Sequence, residues 1–260
     1  MKLPFITAAF TIAVLGACSD SVAPIVVPNP TDVNALTFTA IGDSATVADK
    51  AAQFRTALGG ALNAPGAPAA ASGRREINWD GVPAAVTNVD NFPSFFFNVN
   101  SARGVVFSTP GTGFRVDSTD FQTFSPLLSV QFKSFSRKKT FIAVGSQFTD
   151  VHFFLSGQSQ FAQTTGFGVI FSDVDREGST KLSFFDVNDV LLGTIVAPAR
   201  GGSHEFSFVG AVFPTAIVAR VRITSGEGAV GPGAVDVSIG GTFDLVVMDD
   251  FIYGEPRITP

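Results

Sequence analysis

Acidic side chains are the groups in this sequence whose spacing best suits chemistry. Asp173-Val174-Asp175-Arg176-Glu177-Gly178 sits at a turn between two strand-like runs. Closely spaced carboxylates are hard oxygen donors, and Ca²⁺ takes six to eight such oxygens. Asp249 and Asp250 open the last strand-like segment. Strand alternation sends them to opposite faces, so at most one of them points inward or into a shared rim. Asp173, Asp175, Glu177 and Asp250 form the candidate calcium ligand set on this reading, and calcium is the one cofactor the chain suggests. Two features oppose it. Asp and Asn also form turns by bonding their own backbone, and Arg176 could neutralise its acidic neighbours.

A second candidate is Asn78-Trp79-Asp80-Gly81, which holds the single Trp of the chain. A flat aromatic ring beside a carboxylate is suited to sugar, so Trp79 and Asp80 are candidate ligand-binding residues. The alternative is a Trp that plugs one end of the fold beside an Asp-Gly turn. Catalysis is poorly supplied, and no residue is assigned a catalytic role. His152 and His204 are the two imidazoles, too few for a three-His metal site. Asp150 and His152 share a strand face by period two, which makes an Asp–His pair conceivable. No G-x-S-x-G elbow or P-loop occurs. Residues 226–231 match G-x-G-x-x-G, but Pro232-Gly233 follows where a dinucleotide site needs a helix.

Composition narrows the classes further. The 260 residues carry 17 Lys+Arg against 22 Asp+Glu, and this acidic balance with no long basic run argues against a nucleic-acid partner. One Cys excludes a disulfide scaffold. A hydrophobic fraction of 45% is enough to fill a core. The 28 Phe stand against one Tyr and one Trp. Phe lacks a polar handle, whereas binding faces favour Tyr and Trp. The excess therefore reads as β core, and it argues against a broad sugar platform. Phe95-Phe96-Phe97 cannot all point inward from one strand, which leaves room for a partner surface.

The N-terminus supplies the most specific signal. Lys2 precedes an uncharged apolar run from Leu3 to Ala17, too short to span a membrane and of signal-peptide length. It ends in Leu15-Gly16-Ala17-Cys18, which resembles the lipobox of bacterial lipoproteins. The resemblance implies cleavage before Cys18, lipidation of that residue and anchoring on a membrane. By the same resemblance, Asp after the Cys would favour inner-membrane retention, so Ser19 implies the outer membrane or cell surface. Residues 1–17 are then a signal peptide and 18–35 an extended, Pro-containing tether.

The elements that must position the candidate residues follow from patterning. Leu36–Ala40 alternates as a short strand. Val47, Ala51, Phe54 and Leu58 recur on one helical face, with Asp43, Ser44 and Thr46 as capping candidates and Gly59-Gly60 as the stop. A Gly/Ala/Pro stretch, 59–73, reads as a linker, so residues 36–73 precede a main domain at 74–260. That domain shows nine or more short Phe/Val/Ile/Thr runs between turn signals. These include 104–108, 141–144, 151–155, 166–172, 181–186, 190–196, 205–213, 217–224 and 243–253. The fold class is all-β, a two-sheet antiparallel sandwich of jelly-roll type with one N-terminal helix. The succession GFGVIFSDVD, KLSFFDVNDVLLG, FSFVGAVF, ARVRITSG and VVMDDFIYGEP resembles jelly-roll domains of secreted bacterial surface proteins, including exosortase-sorted and galactose-binding-like sandwiches. That resemblance implies architecture more than activity. Together these readings give a non-catalytic, lipid-anchored cell-envelope protein that presents a binding or adhesion module, with glycan the generic ligand. The alternatives are a structural envelope component working through protein contacts, or a polysaccharide-active enzyme.

Overall fold

The computed structural model describes residues 34–66, 70–199 and 205–258; Cys18 and His204 lie outside them. Among the described residues the strands are β1 (Leu36–Gly42), β2 (Arg74–Ile77), β3 (Val105–Ser108), β4 (Gly113–Asp117), β5 (Thr140–Val144), β6 (Phe148–Phe153), β7 (Gly166–Ser172), β8 (Lys181–Phe185), β9 (Leu191–Val196), β10 (Phe206–Val212), β11 (Arg220–Thr224) and β12 (Val247–Gly254). Two α-helices, α1 (Ser44–Leu58) and the single turn α2 (Phe96–Val99), and three short 3-10 turns complete the set. One sheet runs β1-β10-β7-β12-β5-β4, with β2 also paired to β12; the other runs β3-β6-β11-β8-β9. All strand pairings are antiparallel, and the molecule is a β-sandwich.

Phe fills the space between the sheets, as the composition requires. Phe107, Phe153 and Phe184 from the five-stranded sheet meet a core that includes Phe141, Phe167, Phe171 and Phe251 from the other. Trp79 lies at the centre of this layer, stacked on Phe141 at 4.0 Å and edge-on to Phe251 at 5.1 Å. The Phe95–Phe97 run resolves by leaving the strand conformation. It enters α2, where Phe96 and Phe97 are buried while Phe95 stays exposed.

The boundary anticipated at Arg74 is not a domain boundary. β1 pairs residue by residue with β10 from Leu36↔Val212 to Gly42↔Phe206. Helix α1, capped by Asp43 through the Thr46 N–H at 2.9 Å, lays Val47, Ala51 and Phe54 on Ile170, Phe206, Phe208 and Ile252. The sandwich therefore begins at β1, and α1 covers the outer face of the seven-stranded sheet. Its seat is a notch of two glycines in register, Gly168↔Gly210. A Cβ on Gly168 would stand 3.0 Å from the Phe54 ring, and one on Gly210 2.9 Å from it. Neither glycine has positive φ, so what they provide is close approach rather than an unusual backbone.

This notch yields a stability prediction. Gly210→Ala should overpack against Phe54 and cost about 1–3 kcal/mol. Thermal or denaturant unfolding measures this, and a wild-type midpoint would refute the account of how α1 docks.

Candidate functional site

The acidic run assembles into a buried site, although with different members from those the sequence suggests. Asp173 directly follows β7, at φ +70, a left-handed conformation that Asp tolerates better than most residues. It is 1% exposed, and both carboxylate oxygens are buried without a hydrogen-bond partner. Asp175 lies half-buried beside it. The third member is Asp236, fully buried in the segment that leads into β12. Each of the three offers an oxygen, and these atoms all lie within 4.8 Å of one another.

Asp244 shapes this site without joining the group. Its carboxylate accepts the Asp175 N–H at 3.2 Å, the Arg176 N–H at 3.0 Å and the Ser179 hydroxyl at 2.6 Å. It thereby folds the loop after β7 around itself. Asp236 is fixed in turn by the Ser238 hydroxyl at 3.2 Å and the Leu245 N–H at 3.3 Å. Burial, reinforced by the charges of Asp175, Asp236 and Asp244, pushes the Asp173 carboxyl up to about 8. Burial also raises Asp236, to about 6, while backbone N–H groups from Leu245 and Val237 hold it down. Concentrated negative charge in a dry pocket is costly, and it is relieved by protons or by a cation.

Two expected ligands fall elsewhere. Glu177 is exposed and lines an open cavity with Arg176 and Lys181. Asp250 belongs to a separate pair. The register of β12 against β7 shifts between Met248 and Phe251, and this irregularity breaks the expected alternation. Asp249 and Asp250 consequently both accept from the Ser136 hydroxyl, at 3.0 and 2.7 Å. Burial and their mutual charge push Asp249 well above the usual carboxylate range, and burial raises Asp250 as well. Arg176 does not neutralise the acids with its side chain. Its guanidinium bonds Glu227 at 2.6 Å and the Thr242 carbonyl at 3.0 Å.

Trp79 and Asp80 do not form an exposed platform. Trp79 is 1% exposed, and its Nε1–H donates to the Asp249 carbonyl at 2.8 Å. A ring enclosed on both faces has none left for a sugar. Asp80 holds the 136–139 turn, accepting the Lys138 N–H at 3.3 Å. Residues 226–231 form a loop that runs into a turn at 232–233 rather than into an α-helix, and Glu227 N–H donates to the Asp244 carbonyl at 2.8 Å.

A second concavity opens on the outer face of the five-stranded sheet. It encloses about 460 Å³ and is lined by residues including His152, Phe161, Gln163, Asp189, Arg220 and Ile258. The register Val106↔His152↔Arg220↔Phe185 places one row of side chains across the sheet. Arg220 and Arg222 alternate along β11 with the buried Val221 and Ile223, yet Arg220 is largely covered. It lies 3.8 Å above the Phe185 ring and bonds Asp150 at 2.7 Å and Asp189 at 2.9 Å. Arg222 grips the same Asp150 at 2.8 Å. Burial raises the Asp150 carboxyl, but the two guanidinium groups outweigh it and leave a net lowering. Asp150 and His152 do share a face, yet the His152 Nε2 meets the Ser108 hydroxyl at 2.9 Å instead. Burial lowers the pKa of His152. Phe161, 73% exposed, forms the rim and leans on Phe154 with ring centroids 4.8 Å apart. Sequence reasoning missed this groove because its members come from five separate segments.

No protein-family model, curated protein or solved structure matches the chain.

The raised Asp173 group sets a pH dependence with a definite sign. A carboxyl raised in the folded state binds its proton more tightly there than in the unfolded chain. The stability this contributes is complete below the unfolded value, near 3.8, and lost as pH rises through about 8. With divalent cations chelated, Asp173→Asn should therefore gain stability over wild type across that interval. The gain is up to about 1.4 kcal/mol for each pH step, levelling off above it. Urea melts across the range measure it, and a pH-independent difference would contradict the burial account.

Proposed function

We propose that the protein is a non-catalytic, lipid-anchored component of the bacterial cell envelope whose sandwich serves as a binding or adhesion module. The observation that carries the binding reading is the groove around Arg220. Arg220 is held between Asp150, Asp189 and the Phe185 ring, so its position is set before a ligand arrives. Preorganisation of this kind reduces the ordering cost of binding. The lining mixes Gln163, Asp186, Asp189 and His152 with the exposed face of Phe161. Both guanidinium groups above the sheet already bond carboxylates, so the groove suits a neutral, hydroxyl-rich ligand better than an anion. A glycan has those properties, offering hydroxyls to the polar groups and an apolar ring face to Phe161.

The non-catalytic reading draws support from His152. Its hydroxyl partner Ser108 could be a nucleophile, but Asp150, the acid on the same strand face, is committed to Arg220 and Arg222. The anchoring reading rests on Leu15-Gly16-Ala17-Cys18. More than one acyl chain holds a protein stably on a membrane, and the outer membrane or cell surface is the proposed location. A second reading, docking of another envelope protein, is favoured by the exposed Phe161, Val187 and Ile258 around the groove.

Two experiments test these proposals. On a glycan array, the full-length protein should bind a restricted set of neutral glycans. Phe161→Ala should weaken that binding roughly tenfold, or about 1.4 kcal/mol, without altering the melting temperature. No glycan binding, together with self-association or capture of an envelope protein lost in Phe161→Ala, favours the second reading. Cys18→Ser should move the protein from the membrane fraction to the soluble fraction; retention on the membrane would refute the lipid anchor.

A further inference from the structure

We infer that Asp173, Asp175 and Asp236 form a calcium-binding site that fastens the loop after β7 to the segment leading into β12. The inference stands apart from the groove and from the glycan reading. It begins with Asp173, whose two carboxylate oxygens are enclosed by protein and accept no hydrogen bond. A buried carboxylate left without donors is strongly disfavoured. The neighbours it faces are carboxylates rather than donors. Asp175 and Asp236 bring oxygens within 4.8 Å of its own and of each other. Among the described residues no cationic side chain is bonded to the group: Arg176, the nearest of them in sequence, is turned to Glu227 and Thr242.

Distance and donor type identify the cation. Oxygens on opposite sides of Ca²⁺ at its usual 2.3–2.6 Å bond length stand about 5 Å apart, and those on adjacent sides stand closer. A spread of 4.8 Å or less matches this coordination sphere. Three carboxylates without His or Cys select a hard ion over zinc or copper. Mg²⁺ is disfavoured because it retains several waters and rarely occupies an all-protein cage, whereas Asp173 offers both oxygens from a dry position. Asp175 is the half-buried member and marks the side from which ion and water enter. Asp244 is a positioning residue, because its oxygens already accept the Asp175 and Arg176 N–H groups and the Ser179 hydroxyl.

Calcium itself is the probe. Full-length protein, stripped with chelator and desalted, is titrated with CaCl₂ by calorimetry and melted with and without millimolar calcium. One equivalent of calcium should bind, raise the melting temperature by several degrees and protect the 173–180 loop from proteolysis. Asp173→Asn should abolish both the heat and the shift, while Glu177→Gln, at an exposed position outside the group, should retain them. If Asp173→Asn does not fold, Asp175→Asn, at the half-exposed position, reads out the same loss. Absence of heat and shift at millimolar calcium overturns the site. So does calcium binding that survives in a folded Asp173→Asn or Asp175→Asn variant. An equal response to magnesium overturns the calcium assignment.

Discussion

Packing of the Phe layer between the two sheets is the constraint on which the other features depend. Trp79 stacks on Phe141 and meets Phe251, Phe97 and Phe92 edge-on. Its one polar atom is satisfied by the Asp249 carbonyl. Aromatic pairs of this kind add to the hydrophobic gain from burial, and no disulfide contributes, since Cys18 is the single Cys. The layer fixes β7 and β12 as neighbours, with Ser172 opposite Val247. That register brings the residues just after β7 against those just before β12. Asp173 and Asp175 come from one side, Asp236 and Asp244 from the other.

The polar interior is arranged on the same frame. Arg75 is fully buried and pairs with Glu255, which also accepts the Asn63 amide. Arg115 is held by Asp117, Asp90 and Thr123, and stacks over Phe124. These charges are compensated by hydrogen-bonded partners, as buried ions must be. Asp173 departs from this pattern. Its surroundings are carboxylates, so its local chemistry invites a cation where Arg75 and Arg115 have their counter-ions built in.

Much of the fold is legible in the sequence because burial leaves a periodic trace. Strand β7 follows from its continuous apolar run between turn signals, and the core of α1 from the spacing of Val47, Ala51 and Phe54. Strand β4 was missed, since Gly113–Asp117 mixes an Arg and an Asp into a run that is nevertheless buried. The Arg74 boundary was misplaced because a Gly/Ala/Pro composition resembles a linker, whether or not the preceding helix is docked. Glycines 168 and 210, which receive Phe54, carry no local sign that a helix will lie on them.

The candidate site divides along the same line. Asp173 and Asp175 were visible because two acids at a turn form a local pattern. Asp236 was invisible, standing more than 60 residues away from Asp173 in an apolar stretch. Asp250 was misassigned because the irregularity in β12 turns Asp249 and Asp250 towards one serine. The all-β class, the Phe core and the chemical type of the acidic loop are legible along the chain, since side-chain hydrophobicity and its period are local properties. Which carboxylates converge, the burial of Trp79 and the place of Arg220 in a groove emerge only when the chain is folded. Each of those outcomes depends on which distant strands become neighbours, and on the register in which they pair.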